Sequence, residues 1–396
     1  MASAQAAAAA DARTNTSYFV TDDSQLYVVA GAGTPGVAVA TDTVVTLTGV
    51  TALTAADLLL GAQGAGNTVV LAANPQVSTT ASNATSSTKT TAKDDTITAA
   101  SAAKLVGAAA AITGGLGTDS ITASVAVADL ATLDLTTAGA IGTGDTSGGV
   151  ALTGVENLTI NVTDTAGGTV TVNNIPTDVA SLAVNGVNSA VAATITAAGQ
   201  TISTNNSTIG GNASTITFAS VTSQTGTTGS ANDTFDTIAV DGITANGGAG
   251  DDTFNITAVA AIDNDAKMLT IVGGTGTDDI TLAAGSTGAW DLSDTTDVSI
   301  SGVETLNLGA VGAAMNLTMG ANTFTTITGT SAASKNIQVN LTAAQLDALA
   351  TLTLVSTGGS SAGTVKLVTT ATDATAAVTV DPVSYTHLTL PTTPYV

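Results

Sequence analysis

The chain has 396 residues, 44% of them apolar but only 3% aromatic, and its 7 lysines and arginines face 30 acids for a net charge of −23. So few cations leave nothing to meet the phosphates of a nucleic acid. The apolar stock is mostly Ala and Val, which bury little area each, so burial must spread over much backbone, as in thin layered or solenoid architectures, rather than fill one thick core.

Residues 1–13 are Ala-rich and read as a disordered lead-in, without the basic start and strong apolar centre of a signal peptide. Residues 14–76 read as a small β-rich region, with strands expected at Gln25-Leu26-Tyr27-Val28-Val29 and Thr43-Val44-Val45-Thr46-Leu47. A short helix is expected at Leu53-Thr54-Ala55-Ala56-Asp57-Leu58, where Thr54 and Asp57 have capping-box spacing and Gly61 provides a stop. Residues 77–93 are rich in Ser and Thr, show no buried period, and read as a linker.

From 94 to 382 short strand candidates recur about every 10–14 residues, the mark of a repetitive all-β array, either a β-solenoid or a sandwich-like stack of short strands. Leu158–Val162, Thr169–Val172, Leu182–Val184, Thr215–Phe218 and Ile337–Leu341 each alternate apolar with polar residues, so one face is buried and the other wet. A second short helix is expected at Leu341–Leu346, with Thr342 and Gln345 at capping-box spacing. Neither helix is long enough to define the fold. Residues 383–396 depart abruptly in composition and hold the single histidine, His387. They resemble a translated sequencing adapter, so His387 is given no functional weight.

Two motifs repeat. Gly114-Gly115-Leu116-Gly117-Thr118-Asp119 returns as Gly247-Gly248-Ala249-Gly250-Asp251-Asp252 and as Gly273-Gly274-Thr275-Gly276-Thr277-Asp278. Asp94-Asp95-Thr96-Ile97 and Asn232-Asp233-Thr234-Phe235 are partial copies without the glycines. The second motif carries the only two glutamates, in Thr153-Gly154-Val155-Glu156-Asn157-Leu158 and Ser301-Gly302-Val303-Glu304-Thr305-Leu306. Glycine admits backbone that other residues avoid and lets carbonyl oxygens crowd together, while Asp adds a carboxylate; the combination suits Ca²⁺, a hard cation that takes oxygen ligands. The candidate metal residues are Asp119, Asp251, Asp252, Asp278 and Asp279 with Gly114, Gly247 and Gly273. The competing reading is a Gly-Asp turn in which Asp caps backbone. Separated copies favour that reading, because a shared ion needs ligands from successive turns in tandem. Glu156 and Glu304 are expected to accept backbone N–H groups at strand starts.

These elements resemble the calcium-binding repeats of bacterial RTX-type exported proteins and the repetitive regions of S-layer proteins. That resemblance implies an extracellular, cell-surface protein that assembles with itself into a lattice, with calcium as cofactor and possible anchorage to surface polysaccharide. A repeat stalk of an exported adhesin is the alternative, followed by the non-catalytic spacer of an exported hydrolase. No enzyme is expected: the chain has no cysteine, and no histidine outside the tail, for the usual nucleophile–base pairs. Trp290 is expected to be a packing residue. No membrane span is expected, since no long apolar run occurs. Ice binding by threonine ladders needs regular Thr-x-Thr rows, and the spacing along the chain looks too irregular to provide them.

Overall fold

The computed structural model describes residues 66–79, 89–163, 168–186, 189–195, 197, 199–205, 212–258, 267–282, 288–311, 315–332, 337–357 and 365–369, together with three N-terminal strands. Those strands, Ser17–Val20, Gln25–Val29 and Thr43–Thr46, form an antiparallel meander. The expected helix at Leu53–Leu58, the lead-in and the tail lie outside the described residues.

The rest is an all-β parallel stack. From Asn157 to Leu282 successive strands alternate between a ten-stranded and an eleven-stranded parallel sheet, so each coil of chain contributes one strand to each. This is a β-solenoid. Towards the C-terminus a four-stranded parallel sheet, running from Gly288–Asp291 to Val365–Thr369, joins the eleven-stranded one. A three-stranded sheet flanks the N-terminal coils.

The array begins earlier than the composition suggests. Thr68–Val70 pairs with Thr96–Ala99 in the ten-stranded sheet, and Gln76–Val77 pairs with Ala111–Thr113. At the two ends of the segment read as a linker, 77–93, Val77 and Thr90 are buried in the stack, while residues 80–88 lie outside the described residues. Polar composition hid this, because a coil's outer face and corners need Ser and Thr as much as a linker does.

Alternation in each strand fixes which side chains enter the core. On the ten-stranded sheet the inward column includes Val69, Ile97, Ile121, Leu158, Leu182, Ile202 and Ile271, all 0–1% exposed. Phe218, Phe235 and Phe254 stack on the eleven-stranded sheet, with successive ring centroids 6.3 and 5.0 Å apart. The opposite sheet gives them room with Gly226, where a Cβ would lie 3.0 Å from the Phe235 ring and 3.1 Å from Phe218. Large side chains on one sheet thus meet small ones on the other, keeping the thin core filled.

The outward face of the ten-stranded sheet is equally ordered. Thr68, Thr96, Ser120, Asn157, Ser181, Thr201, Thr225, Thr244, Thr270 and Ser299 are register partners in one continuous column. A second column runs beside it through Thr98, Thr122, Thr159, Ala183, Ser203, Thr227 and Asn246. The expectation that irregular spacing prevents such rows is corrected. Coil length varies, from 19 residues between Asp233 and Asp252 to 37 between Asp119 and Glu156. Loops absorb the difference while the apolar columns hold the register. The helix Ala343–Ala348 forms as expected, with Thr342 and Gln345 making the capping box. Among the described residues no helix is long and apolar enough to cross a membrane.

Candidate functional site

The repeated motifs sit at the corners of the coils. Asp119 immediately precedes Ser120–Val125 of the ten-stranded sheet, while Asp252 and Asp278 precede Thr253–Ile256 and Asp279–Leu282 of the eleven-stranded one. At such a corner the residue's N–H is not taken by the sheet, and a buried N–H without an acceptor is costly.

The acceptor comes from the next coil. Asp95 N–H donates to Asp119 Oδ1 at 2.7 Å, and Asp119 N–H donates to Glu156 Oε2 at 2.6 Å. At the other corner Asp233 N–H donates to Asp252 Oδ1 at 2.8 Å, Asp252 N–H to Asp278 Oδ1 at 2.8 Å, and Asp278 N–H to Glu304 Oε2 at 2.9 Å. Asn67 and Ser214 donate their N–H groups to Asp95 and Asp233 and so begin the two ladders. Each ladder ends on a glutamate.

The ending has a backbone cause. The N–H groups of Glu156 and Asn157 both donate to the Asp119 carbonyl, and those of Glu304 and Thr305 both donate to the Asp278 carbonyl. Two residues opposing one is a bulge. It returns the glutamate's own N–H to the backbone, so no further carboxylate is required above it. The glutamate's extra methylene supplies the reach from the bulged position down to the aspartate N–H.

An outer ladder runs beside the inner one in the opposite sense. Thr118 N–H donates to Asp94 Oδ1 at 2.8 Å, Asp251 N–H to Asn232 Oδ1 at 2.9 Å, and Thr277 N–H to Asp251 Oδ1 at 2.8 Å. These acceptors are exposed, unlike the inner acids.

The first glycine of each motif makes room for its own turn's acid. A Cβ on Gly114 would lie 2.5 Å from Asp119 Oδ2 and 1.8 Å from the Gly154 carbonyl oxygen; on Gly273 the same atoms are Asp278 Oδ2 at 2.5 Å and the Gly302 oxygen at 1.8 Å. On Gly247 they are Asp252 Oδ2 at 2.1 Å and the Gly273 oxygen at 2.8 Å. Asp119, Asp252 and Asp278 are 0–1% exposed, and the Oδ2 of each has no hydrogen-bond partner. Asp95 differs, because Thr91 N–H reaches its Oδ2 at 2.6 Å.

Burial pushes Asp119 up to about 6 and Asp252 up to about 7; the N–H donors Asp95 and Asp233 oppose this, and neighbouring acids add to it. Asp278 is raised by burial, with Glu304 and Asp251 adding to the rise against the Asp252 N–H. Burial also raises Asp233, against donors from Ser214, Thr228 and Gly229.

The structure therefore brings Asp251, Asp252 and Asp278 onto adjoining coils and leaves Asp119 in a separate ladder. Gly247 and Gly273, which look far apart along the chain, begin turns that stack directly, with Gly248 opposite Gly274. Asp279 stands apart: it begins a strand, is half-buried, and accepts from its neighbour Thr281 Oγ1 at 2.6 Å. The glutamates accept backbone N–H groups, although from the preceding coil. Asp95 and Asp233, which belong to the partial copies and were not among the candidate site residues, are also ladder members, and the Asp-x-apolar pattern they share with the full copies is the signal that identifies them.

Calcium takes about six to eight oxygens around one point. Here each inner carboxylate spends one oxygen on a neighbouring N–H, and among the described residues no three acidic or imidazole side chains are placed to hold a metal ion. Direct hydrogen bonds between coils occupy Oδ1 of Asp119, Asp252 and Asp278 and leave Oδ2 of each without a partner. Trp290 is fully buried, as expected of a packing residue. No protein-family model matches the chain, and no curated protein and no solved structure matches it either.

Proposed function

We propose that this chain is a structural protein of the cell surface whose solenoid packs against other copies to build an S-layer-like lattice outside the cell. The observation that carries the reading is the outward face of the ten-stranded sheet. None of its ten strands contains a charged residue, although the whole chain carries −23. Like-charged copies repel one another over most of their surface, and a flat uncharged face is where that repulsion is least. Side-chain hydroxyls and amides on such a face can pair with the same groups on a second copy. Divalent cations, calcium first among them, would act between copies by offsetting the remaining negative charge, and surface polysaccharide would anchor the array.

Light scattering of the full chain tests this. The protein is purified in chelator and titrated separately with Ca²⁺ and Mg²⁺. Ordered assemblies that grow with added cation and reverse with chelator are expected. A chain that stays a monomeric rod throughout would overturn the lattice and favour the repeat stalk of an exported adhesin.

A further inference from the structure

The ten-stranded sheet stops before the array does. Its last strand, Val298–Ser301, pairs with Leu269–Thr275 on one side and, among the described residues, with no strand on the other. The chain runs on through further strands to Thr369, none of which rejoins this sheet. The eleven-stranded sheet meanwhile continues with Thr326–Ala332 and Thr351–Thr357. The open edge is therefore made by the path of the chain.

On that edge the backbone has groups to spare. Leu269 N–H donates to the Asp297 carbonyl at 2.7 Å. Bonding alternates along a parallel strand, so Ser299 turns its N–H and C=O towards Leu269–Thr275 and Ile300 turns its own outwards. The side chains agree: Ile271 is fully buried in the inward column, while Ile300, next in that column, is only half-buried. A groove of about 340 Å³ borders the edge, lined by Leu292, Ile300, Ser301 and Val303 and by Ala321 and Asn322 of a neighbouring turn. No charged residue lines it, and the strand has neither the charge nor the proline that commonly protects an edge.

The opposite end of the same sheet offers the complement. Thr68–Val70 is its first strand, open on the side away from Thr96–Ala99. Thr96 N–H donates to the Asn67 carbonyl at 2.9 Å and Leu71 N–H to the Thr98 carbonyl at 2.8 Å. By the same alternation Val69 is used within the sheet, while Thr68 and Val70 turn their N–H and C=O groups outwards. Val70 is also 60% exposed, and this strand too is uncharged.

We propose that the groove receives Thr68–Val70 of a second copy, so that the ten-stranded sheet of one molecule continues head to tail into the next by strand addition. In the register that joins the free groups, Ile300 N–H donates to the Thr68 carbonyl and Val70 N–H to the Ile300 carbonyl. Ile300 then stands opposite Val69 and Ser299 opposite Thr68. The inward apolar column and the outward hydroxyl column both cross the joint unbroken. The two ends differ, so the contact is heterologous and repeats along a line instead of closing into a dimer. This rests on the reading that copies associate, and adds to the flat face a second contact that sets the direction of growth.

The chain has no cysteine, so engineered disulfides report the joint directly. Register partners on neighbouring strands lie about 4.8 Å apart, within the reach of a disulfide. Full-length Thr68→Cys and Ser299→Cys proteins are oxidised mildly, each alone and mixed in equal amounts, and the products are read on non-reducing gels and by mass spectrometry. The mixture is expected to give mainly the Thr68→Cys to Ser299→Cys heterodimer. Adding Val70→Pro to the Thr68→Cys chain removes an outward N–H at an exposed position and is expected to cut that yield about fivefold, the worth of one hydrogen bond. The statistical mixture of random encounters, or a yield that Val70→Pro leaves unchanged, would overturn the joint. Cation-dependent scattering that persists without the heterodimer would overturn the joint and leave the lattice standing on other contacts. A specific heterodimer without ordered assemblies would support the joint and remove the lattice.

Discussion

At the scale of single residues, the corners depend on atoms that are missing as much as on those present. Gly273 has no side chain, and that absence is what lets the Asp278 carboxylate and the Gly302 carbonyl pack against its α-carbon. A Cβ there would lie 1.8 Å from a backbone oxygen, which cannot swing aside as a flexible side chain could. Gly273→Ala is therefore expected to destabilise the fold by about 2–4 kcal/mol, the range of a clash that forces backbone to move. Chemical unfolding checks this; a change within about 0.5 kcal/mol would mean that the corner can relax. The second glycines act differently: Gly248 and Gly274 adopt φ of +90° and +112°, conformations that side-chain-bearing residues rarely take.

Among local elements, the informative unit is the corner pair, a Gly-Gly-x-Gly-x-Asp turn followed one coil later by a Gly-Val-Glu bulge. Both pairs have the same bonds: Asp119 with Glu156 and Asp278 with Glu304. The glutamate closes a ladder because its N–H returns to the sheet while its carboxylate reaches back for the last unpaired aspartate N–H. Glu304→Asp keeps the charge and removes the reach. It is expected to leave the Asp278 N–H without its acceptor at a cost of about 1–3 kcal/mol, with Glu304→Gln losing less because the amide oxygen still reaches. A larger loss in Glu304→Gln than in Glu304→Asp, measured by urea unfolding, would show that charge matters here and length does not.

For the molecule as a whole, parallel stacking turns a weak amino-acid stock into a continuous core. No coil buries a large cluster alone, but each adds its inward Ile, Leu, Val or Phe to columns shared with its neighbours, as expected of quasi-one-dimensional repeats. The same stacking produces the uncharged outward face. If that face joins copies, Thr159→Lys with Thr227→Lys should abolish cation-dependent assembly in light scattering while shifting the unfolding free energy by less than about 1 kcal/mol. Both residues are partly exposed on the outward side, so neither change reaches the core. Assemblies of unchanged size would place the contact elsewhere on the solenoid.

Much of this was legible in the sequence because alternation with a period of two is a strong local signal. The strands at Leu158–Val162, Thr215–Phe218 and Ile337–Leu341, the capping box at Thr342 and the scarcity of helix all followed from local pattern and composition. The Gly-Asp and Gly-Val-Glu segments were visible as repeats, and their aspartates proved to be the buried corner acids. What local pattern could not supply was which coil meets which. Sequence distance made Gly247 and Gly273 look separate and made the threonines look irregular. Only tertiary stacking decided these matters, because unequal loops between equal strands can be cancelled only by pairing between coils. The partners of Asp119, Asp252 and Asp278 lie 24, 19 and 26 residues away. No periodicity within one strand carries information about contacts at those separations.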